Sequence, residues 1–175
     1  VYHRRFYTTT GDTTHRVLAN AYRRWLPGSI GRYYLAPFSI KKGSNIYGLV
    51  FGSGHPRGIE KFLKVAWDHG GDANFDIDDD RLDPSAPSLF EEYNRRTKVA
   101  MFNDDLAELV LSGKMRSNQE VFIYAIESGF LGRHAVEGLK KLVKEGKLPS
   151  QRFAISYQAW SAGNAVPIRL KDEPA

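Results

Sequence analysis

Apolar residues recur at helical spacing in two stretches of the first third of the chain. The spacing predicts a helix over about 13–26, which Asp12 caps and Pro27-Gly28 ends. It predicts a second helix that begins at Pro56, because proline is well suited to the first helical position. The apolar positions are Val17, Leu18, Ala21, Tyr22 and Trp25 in the first helix, and Ile59, Phe62, Leu63 and Ala66 in the second.

Two strand-like runs lie between these helices. Residues 31–41 are rich in tyrosine and phenylalanine, and 46–51 are almost wholly apolar. The turn between them, 42–45, is short enough to favour an antiparallel hairpin. Such a helix–hairpin–helix piece cannot cover both faces of its hairpin, so we expect it to be the end of a larger α/β sheet with further strands upstream of Val1.

The C-terminal part of the chain predicts three helices and a hairpin. Ser117 and Glu120 have the spacing of a capping box, and Gly146 closes a helix that ends at about Glu145. Two strands are expected at 152–157 and 165–170. This order is that of a winged helix-turn-helix. The core positions are Phe102, Leu106, Leu109 and Val110, then Phe122, Ala125 and Ile126, then Ala135, Leu139 and Leu142.

The expected fold is therefore α+β, in three parts. Residues 1–67 form a partial α/β, Rossmann-like helix–hairpin–helix remnant, and 100–175 form a winged helix-turn-helix domain. The segment between them, 68–99, is rich in acidic residues and contains prolines, which is typical of a linker.

Composition excludes several kinds of chemistry. The 175 residues include no cysteine, which rules out disulfides, thiolate zinc sites, iron–sulfur clusters and a thiol nucleophile. No apolar run approaches the length of a membrane span. We expect a cytoplasmic protein without a membrane partner.

Charge is unevenly distributed along the chain. Lysine and arginine outnumber aspartate and glutamate by 11 to 2 in residues 1–64, whereas residues 65–92 hold 1 against 9 and residues 93–175 hold 13 against 9. A basic surface beside an acidic stretch is typical of nucleic-acid binding next to a solvated linker. The alternative is that the two blocks only neutralise each other.

The third helix of the winged helix-turn-helix carries the candidate nucleic-acid surface. With its apolar residues in the core, its cations face outward and can each neutralise a phosphate, and Arg133 at its start can reach a base edge. Cations on an exposed face also serve solubility and the helix dipole, and winged helices also dock proteins, here through Phe130 and Trp160. The predicted nucleic-acid-binding residues, with DNA favoured over RNA, are Arg133, Lys140, Lys141, Lys144, Arg152 and Trp160.

No catalytic or metal centre emerges from the sequence. Gly52-Ser53-Gly54, with Gly58, follows a strand and opens a helix as a phosphate loop does, but Pro56 removes a helix N-terminal donor, so a role in turning the backbone is favoured. His55 serves an active site, caps the helix or points to solvent. Asp76, Asp78 and Asp80 begin like a calcium loop, which fails where Arg81 replaces the required glycine.

Two segments carry a family resemblance. The stretch IYGLVFGSGHPRGI at 46–59, followed by a helix closing in Ala66-Trp67, resembles the three-Cys-motif partner proteins (TcmP), and 118–146 is similar to their winged helix-turn-helix. The resemblance implies a bacterial or phage protein with a methyltransferase-like Rossmann domain, and a partner protein that carries the cysteines. It also implies that the S-adenosylmethionine site lies in strands missing from this chain, so this chain would hold no cofactor. We therefore expect a non-catalytic nucleic-acid-binding portion, with a methyltransferase in the full-length protein as an alternative.

Overall fold

The computed structural model of the chain describes residues 14–28, 31–42, 45–68, 98–163 and 165–171. The chain divides into two compact units, Val1–Arg81 and Leu82–Ala175, and each is described by itself. Asp12, the aspartates at 76–80 and nearly all of the predicted linker lie outside the described residues. The three domain ranges therefore stay predictions.

Unit 1 has the predicted helix–hairpin–helix order. Its elements are α1 (Thr14–Trp25), β1 (Tyr34–Lys42), β2 (Asn45–Ser53) and α2 (Pro56–Asp68). The strands pair antiparallel, with Ala36 opposite Phe51 and Phe38 opposite Leu49, which confirms the predicted hairpin. Among the described residues the sheet has only these two strands, so the Rossmann-like remnant stays a prediction.

An aromatic cluster fixes α2 on the hairpin. The Phe62 ring stacks on Phe51 with 4.2 Å between centroids and meets Phe38 edge-on at 5.4 Å. Phe38 and the neighbouring Pro37 point to opposite faces of β1, and both are buried. Both faces of β1 are therefore covered at this point, and the expected larger sheet stays a prediction.

The apolar stripe that predicted α1 is not the buried face of that helix. Tyr22 is 49% exposed and Trp25 77% exposed, whereas Ala19 is fully buried. The Arg23 guanidinium donates to the Leu35 carbonyl of β1, so α1 packs through its small and polar side. Periodicity identified this helix correctly but does not show which of its faces is buried.

The described residues of unit 2 form four helices. They are α3 (Lys98–Leu111), α4 (Asn118–Glu127), α5 (Gly132–Lys144) and the short α6 (Tyr157–Ser161). The predicted core positions of α3 to α5 are buried, apart from the half-buried Leu109. The buried core residues of these three helices are Phe102, Leu106, Val110, Val121, Phe122, Ile123, Ala125, Ile126, Ala135, Leu139 and Leu142.

The predicted capping box at the start of α4 is confirmed. The Ser117 hydroxyl accepts the Glu120 backbone N–H at 3.2 Å, and the Glu120 carboxylate accepts the N–H groups of Arg116 and Ser117 at 2.7 and 2.9 Å. These backbone donors hold the pKa of Glu120 below its usual range. The α4 N-terminus is thus closed by a carboxylate of its own chain.

Two glycines with positive φ delimit α5. Gly129 (φ +86°) makes the turn out of α4, and Gly146 (φ +72°) ends α5 as predicted. The Gly146 N–H donates to Val143 at 3.0 Å and the Lys147 N–H to Leu142 at 2.9 Å, which is the Schellman arrangement.

The predicted wing is wrong in its secondary structure. Neither 152–157 nor 165–170 forms a strand in the described part of the chain. Ser156 instead caps α6 by accepting the Ala159 N–H at 3.3 Å. Pro167 cannot donate a ladder hydrogen bond, and it pairs with Ser117 in an isolated bridge.

We call residues 148–163 and 165–171 the C-terminal strap. The Leu148 N–H bonds to Leu142 near the end of α5, and the Ile155 carbonyl lies directly against Gly132, where it would overlap any Cβ. The first part of the strap therefore runs antiparallel beside α5, from the C-terminal end of that helix to its N-terminal end.

Candidate nucleic-acid interface

Helix α5 turns one face into the core and the other to solvent. Leu139 is fully buried, and a Cβ added at Gly138 would lie 2.5 Å from the Asn103 side chain of α3. This close approach fixes how α5 is rotated. All the charged residues on its opposite side are exposed: Arg133, Glu137, Lys140, Lys141 and Lys144.

The lysines on the exposed face of α5 have little of their charge neutralised by nearby carboxylates. Glu145 accepts from Lys147 at 2.7 Å, and this bond is the main cause that lowers the pKa of the Glu145 carboxyl. Lys141 lies farther from the same carboxylate, at 3.9 Å. Within the described residues, Lys140 and Lys144 make no ion pair. The surface therefore keeps most of its positive charge.

The first turn of α5 is capped by a histidine. The Leu131 N–H donates to His134 Nδ1 at 3.1 Å, so the neutral ring carries its proton on Nε2. Nε2 then cannot accept from Arg133 Nε, which lies 3.5 Å away. His134 is buried, and burial, with a smaller effect from the Arg133 charge, lowers its pKa to about 4. No acidic residue stands in this turn.

Of the two nucleic-acid-binding residues predicted after α5, one lies on the exposed surface beside that helix and the other packs against α4. Arg152 is exposed and lies on the part of the strap that runs beside α5. Trp160 was expected near the tip of a wing, but it belongs to α6 and its ring faces Phe122 of α4 at 6.5 Å between centroids. Gln119 of α4 also donates to the Trp160 carbonyl at 3.3 Å. These two contacts place Trp160 against α4 instead of near the tip of a wing.

Phe130, the residue expected to dock a partner protein, is part of the core. Its side chain is 1% exposed and stacks on Phe102 with 4.2 Å between ring centroids. The expectation that it forms an outward docking surface is wrong, because the turn before α5 folds inward.

Sequence reasoning missed two cations of the strap, one of which lies at the C-terminal end of α5. Lys171 donates to the Gly146 carbonyl at 3.1 Å. Arg169 is held by the Gln151 side chain, which accepts its N–H and donates to its carbonyl, both at 3.0 Å. Their distance in sequence from α5 hid this placement, and only their charge could have drawn attention to them.

The phosphate-loop candidate in unit 1 is closed by its own side chains. Ser53 Oγ accepts the His55 N–H at 3.1 Å, and His55 Nδ1 accepts the Arg57 N–H at 3.2 Å, so His55 caps α2. Neither Gly52 nor Gly58 has a positive φ, so neither turns the backbone through a conformation that requires glycine. They are small because Tyr33 and Ser53 lie against them.

The described part of the chain offers neither a metal site nor a membrane span. In those ranges, histidine, aspartate and glutamate form no cluster that could hold a metal ion. No described helix is both long and apolar enough to cross a membrane.

The geometry defines the class of unit 2. Helix α4, a four-residue turn and α5, packed with α3, form a helix-turn-helix in which α5 presents the cationic face. Residues 76–149 match the family model of the GMT-like wHTH domain. The match includes α3, α4 and α5, and confirms the predicted winged helix-turn-helix class for that part of the chain. No curated protein and no solved structure matches the chain.

Proposed function

We propose that unit 2 binds nucleic acid, DNA in preference to RNA, through the outward face of α5. The observation that carries this proposal is the exposed cationic face on the second helix of the helix-turn-helix, with four cations and one carboxylate over 13 residues. Arg133 and Lys144 are about 16 Å apart along the axis, at 1.5 Å per residue, so the face is long enough to meet several phosphates.

Charge segregation within unit 2 favours this function over simple solubility. The exposed acidic residues of α3, namely Asp104, Asp105 and Glu108, lie on a different helix from the lysines of α5. A surface that only keeps a protein soluble mixes both signs. Concentrated positive charge attracts a polyanion and speeds its encounter.

Arg133 has the position of a base reader within this surface. It stands in the first turn of α5, where recognition helices contact base edges, and a guanidinium can donate two bonds to guanine. Lys140, Lys141 and Lys144 serve as phosphate contacts, and Arg152 extends the row from the strap. Trp160 contributes indirectly by holding α6 against α4.

Fluorescence anisotropy of a labelled duplex across a salt series tests the proposal. Lys140→Glu/Lys144→Glu should weaken binding more than tenfold and flatten the salt slope by about 2, since each phosphate contact contributes about 0.9. The matched control is Lys61→Glu/Lys64→Glu, which changes the same charge on the exposed side of α2. Equal loss in both variants, or in neither, would contradict a local α5 interface.

We propose further that the chain is the C-terminal portion of a TcmP-like protein, with unit 1 as the end of a methyltransferase-like domain. Its support is the antiparallel hairpin between two helices in the predicted order. The glycine-rich loop that resembled a phosphate site does not fit a bound phosphate, because Ser53 and His55 close it. Any S-adenosylmethionine site would belong to other residues. Reading the gene upstream of Val1 for a strand followed by a glycine-rich loop is the test.

A protein partner is the second candidate function, and an exposed surface of α1 favours it. Tyr22 and Trp25 meet edge-on at 6.4 Å between ring centroids and are both exposed. Exposed aromatic surface is typical of contact sites. A three-cysteine protein encoded beside this one should co-purify with it at high salt and after nuclease treatment. Trp25→Ala should abolish this association, and its survival would exclude α1 as the contact.

A further inference from the structure

The middle of the C-terminal strap carries no charge. Between Arg152 and Arg169, sixteen consecutive residues include no lysine, arginine, histidine, aspartate or glutamate. This is the segment in which a winged helix-turn-helix would place its wing. A loop without cations cannot neutralise phosphates, and phosphate contacts supply most of the affinity of such proteins for DNA.

The same segment is folded back on the domain. Helix α6 is capped by Ser156, and Trp160 lies against Phe122 with Gln119 bonded to its carbonyl. Beyond α6, Val166 is fixed by Asn118: the Val166 N–H donates to the Asn118 side chain at 2.8 Å and the Val166 carbonyl accepts the Asn118 N–H at 3.0 Å. The segment is therefore tied to α4 at two places instead of forming a projecting hairpin.

The two ends of the strap, by contrast, bring cations to α5. Arg152 lies on the stretch beside that helix, and Arg169 is braced by Gln151, the neighbour of Arg152. Lys171 reaches the carbonyl of Gly146, the residue that closes α5. Lys171 thus adds a cation at the C-terminal end of α5, and Arg169 adds an exposed cation on the strap beside Gln151.

We propose that unit 2 contacts duplex DNA from the major groove only, with Arg169 and Lys171 as additional phosphate contacts and with no contact from the strap to the minor groove. This inference rests on the proposed function. An α-helix with side chains is about 10–12 Å wide and matches the major groove of B-form DNA, about 12 Å wide. The major groove of an A-form RNA helix is too narrow for side chains to read.

Two groove ligands test the groove assignment in the anisotropy assay with the full chain. Methyl green, which occupies the major groove, should displace the protein, and netropsin, which fills the minor groove of AT-rich duplex, should leave the affinity within about twofold. Displacement by netropsin would overturn the inference.

Two charge variants test the residues. Arg169→Glu/Lys171→Glu should weaken binding about tenfold and lower the salt slope by about 2. Gln158→Glu/Ser161→Glu places the same number of carboxylates on α6, and binding should stay within about twofold, because no phosphate lies nearby. A comparable loss from the α6 variant, or none from the Arg169/Lys171 variant, would overturn the inference. Far-UV circular dichroism checks that both variants are folded.

The outcomes separate this inference from the proposed function. If the unaltered protein binds no duplex, the proposed function fails and the inference fails with it. If it binds and Lys140→Glu/Lys144→Glu weakens it, while netropsin also displaces it, the α5 interface stands and only the major-groove inference is overturned.

Discussion

Asn118 offers the sharpest test of how the C-terminal strap is held. It is 4% exposed, and its side-chain amide donates to the Ala154 carbonyl at 3.1 Å and accepts the Val166 N–H at 2.8 Å. One amide thus bonds to the backbones of both strap segments, which form no β-ladder with each other in the described residues. Asn118→Ala removes both bonds and leaves their backbone partners unsatisfied. At about 1 kcal/mol per bond plus the cost of the unpaired groups, we expect a loss of about 2–3 kcal/mol in the free energy of unfolding.

Gln151→Ala is the matched control. Gln151 makes the same pair of bonds, to the N–H and carbonyl of Arg169, but in a more exposed place. Water replaces these bonds when the side chain is removed, so the loss should stay below about 1 kcal/mol. The comparison therefore isolates burial as the cause of the difference between the two variants.

Urea unfolding followed by Trp160 fluorescence measures both losses. Trp25→Phe and Trp67→Phe in the background leave Trp160 as the one tryptophan, since the chain has three. With a slope of about 1 kcal/mol per molar urea, Asn118→Ala should lower the midpoint by about 2–3 M. An unchanged midpoint, or an equal shift in Gln151→Ala, would refute the role of Asn118 as the buried link that holds the strap.

Two further predictions concern the N-terminal end of α5. Gly132→Ala should destabilise unit 2 by more than about 2 kcal/mol, because the new Cβ would overlap the Ile155 carbonyl. The control, Gly28→Ala, should have little effect, because the space around Gly28 is open. Equal losses of thermal stability in the two variants would contradict the close contact at Gly132. His134 should make stability depend on pH. Its folded pKa of about 4 lies below the ordinary value of 6.5, so the unfolded chain takes up the proton first, and the contribution is complete above about pH 6.5 and is lost as the pH falls towards 4. When the pH falls from about 7.5 to 4.5, the free energy of unfolding of the unaltered protein should drop by roughly 2–3 kcal/mol more than that of His134→Gln. The glutamine amide of this variant can still accept the Leu131 N–H. An equal drop in both proteins would exclude His134 as the cause.

Local signals predicted much of the architecture. The capping box of Ser117 and Glu120, and the glycine at 146, act within a few residues and gave α4 and α5 their correct ends. The hairpin of unit 1 followed from two apolar runs and a short turn. The outward position of the α5 lysines followed from the helical period, because the apolar residues of that helix do face the core.

The errors arose where a residue's surroundings come from distant parts of the chain. Phe130 was expected on the surface, and its stacking on Phe102 of another helix was not visible in the sequence. The strands of a wing were predicted from a β-rich pattern, but the Ser156 cap and Pro167 favour a short helix and an isolated bridge. The apolar stripe predicted helix α1 correctly, but the stripe lies on the exposed face of that helix and not on its buried face.

The amino-acid sequence by itself determined helices α1 to α5, the hairpin of unit 1, the start of α4 and the end of α5, because these depend on contacts within a few residues. Only the tertiary structure decided which face of α1 is covered, that the strap folds back on α4, and that Lys171 reaches the end of α5. Those outcomes depend on contacts between residues tens of positions apart, such as Asn118 with Val166 and Lys171 with Gly146, and a local pattern carries no information about them.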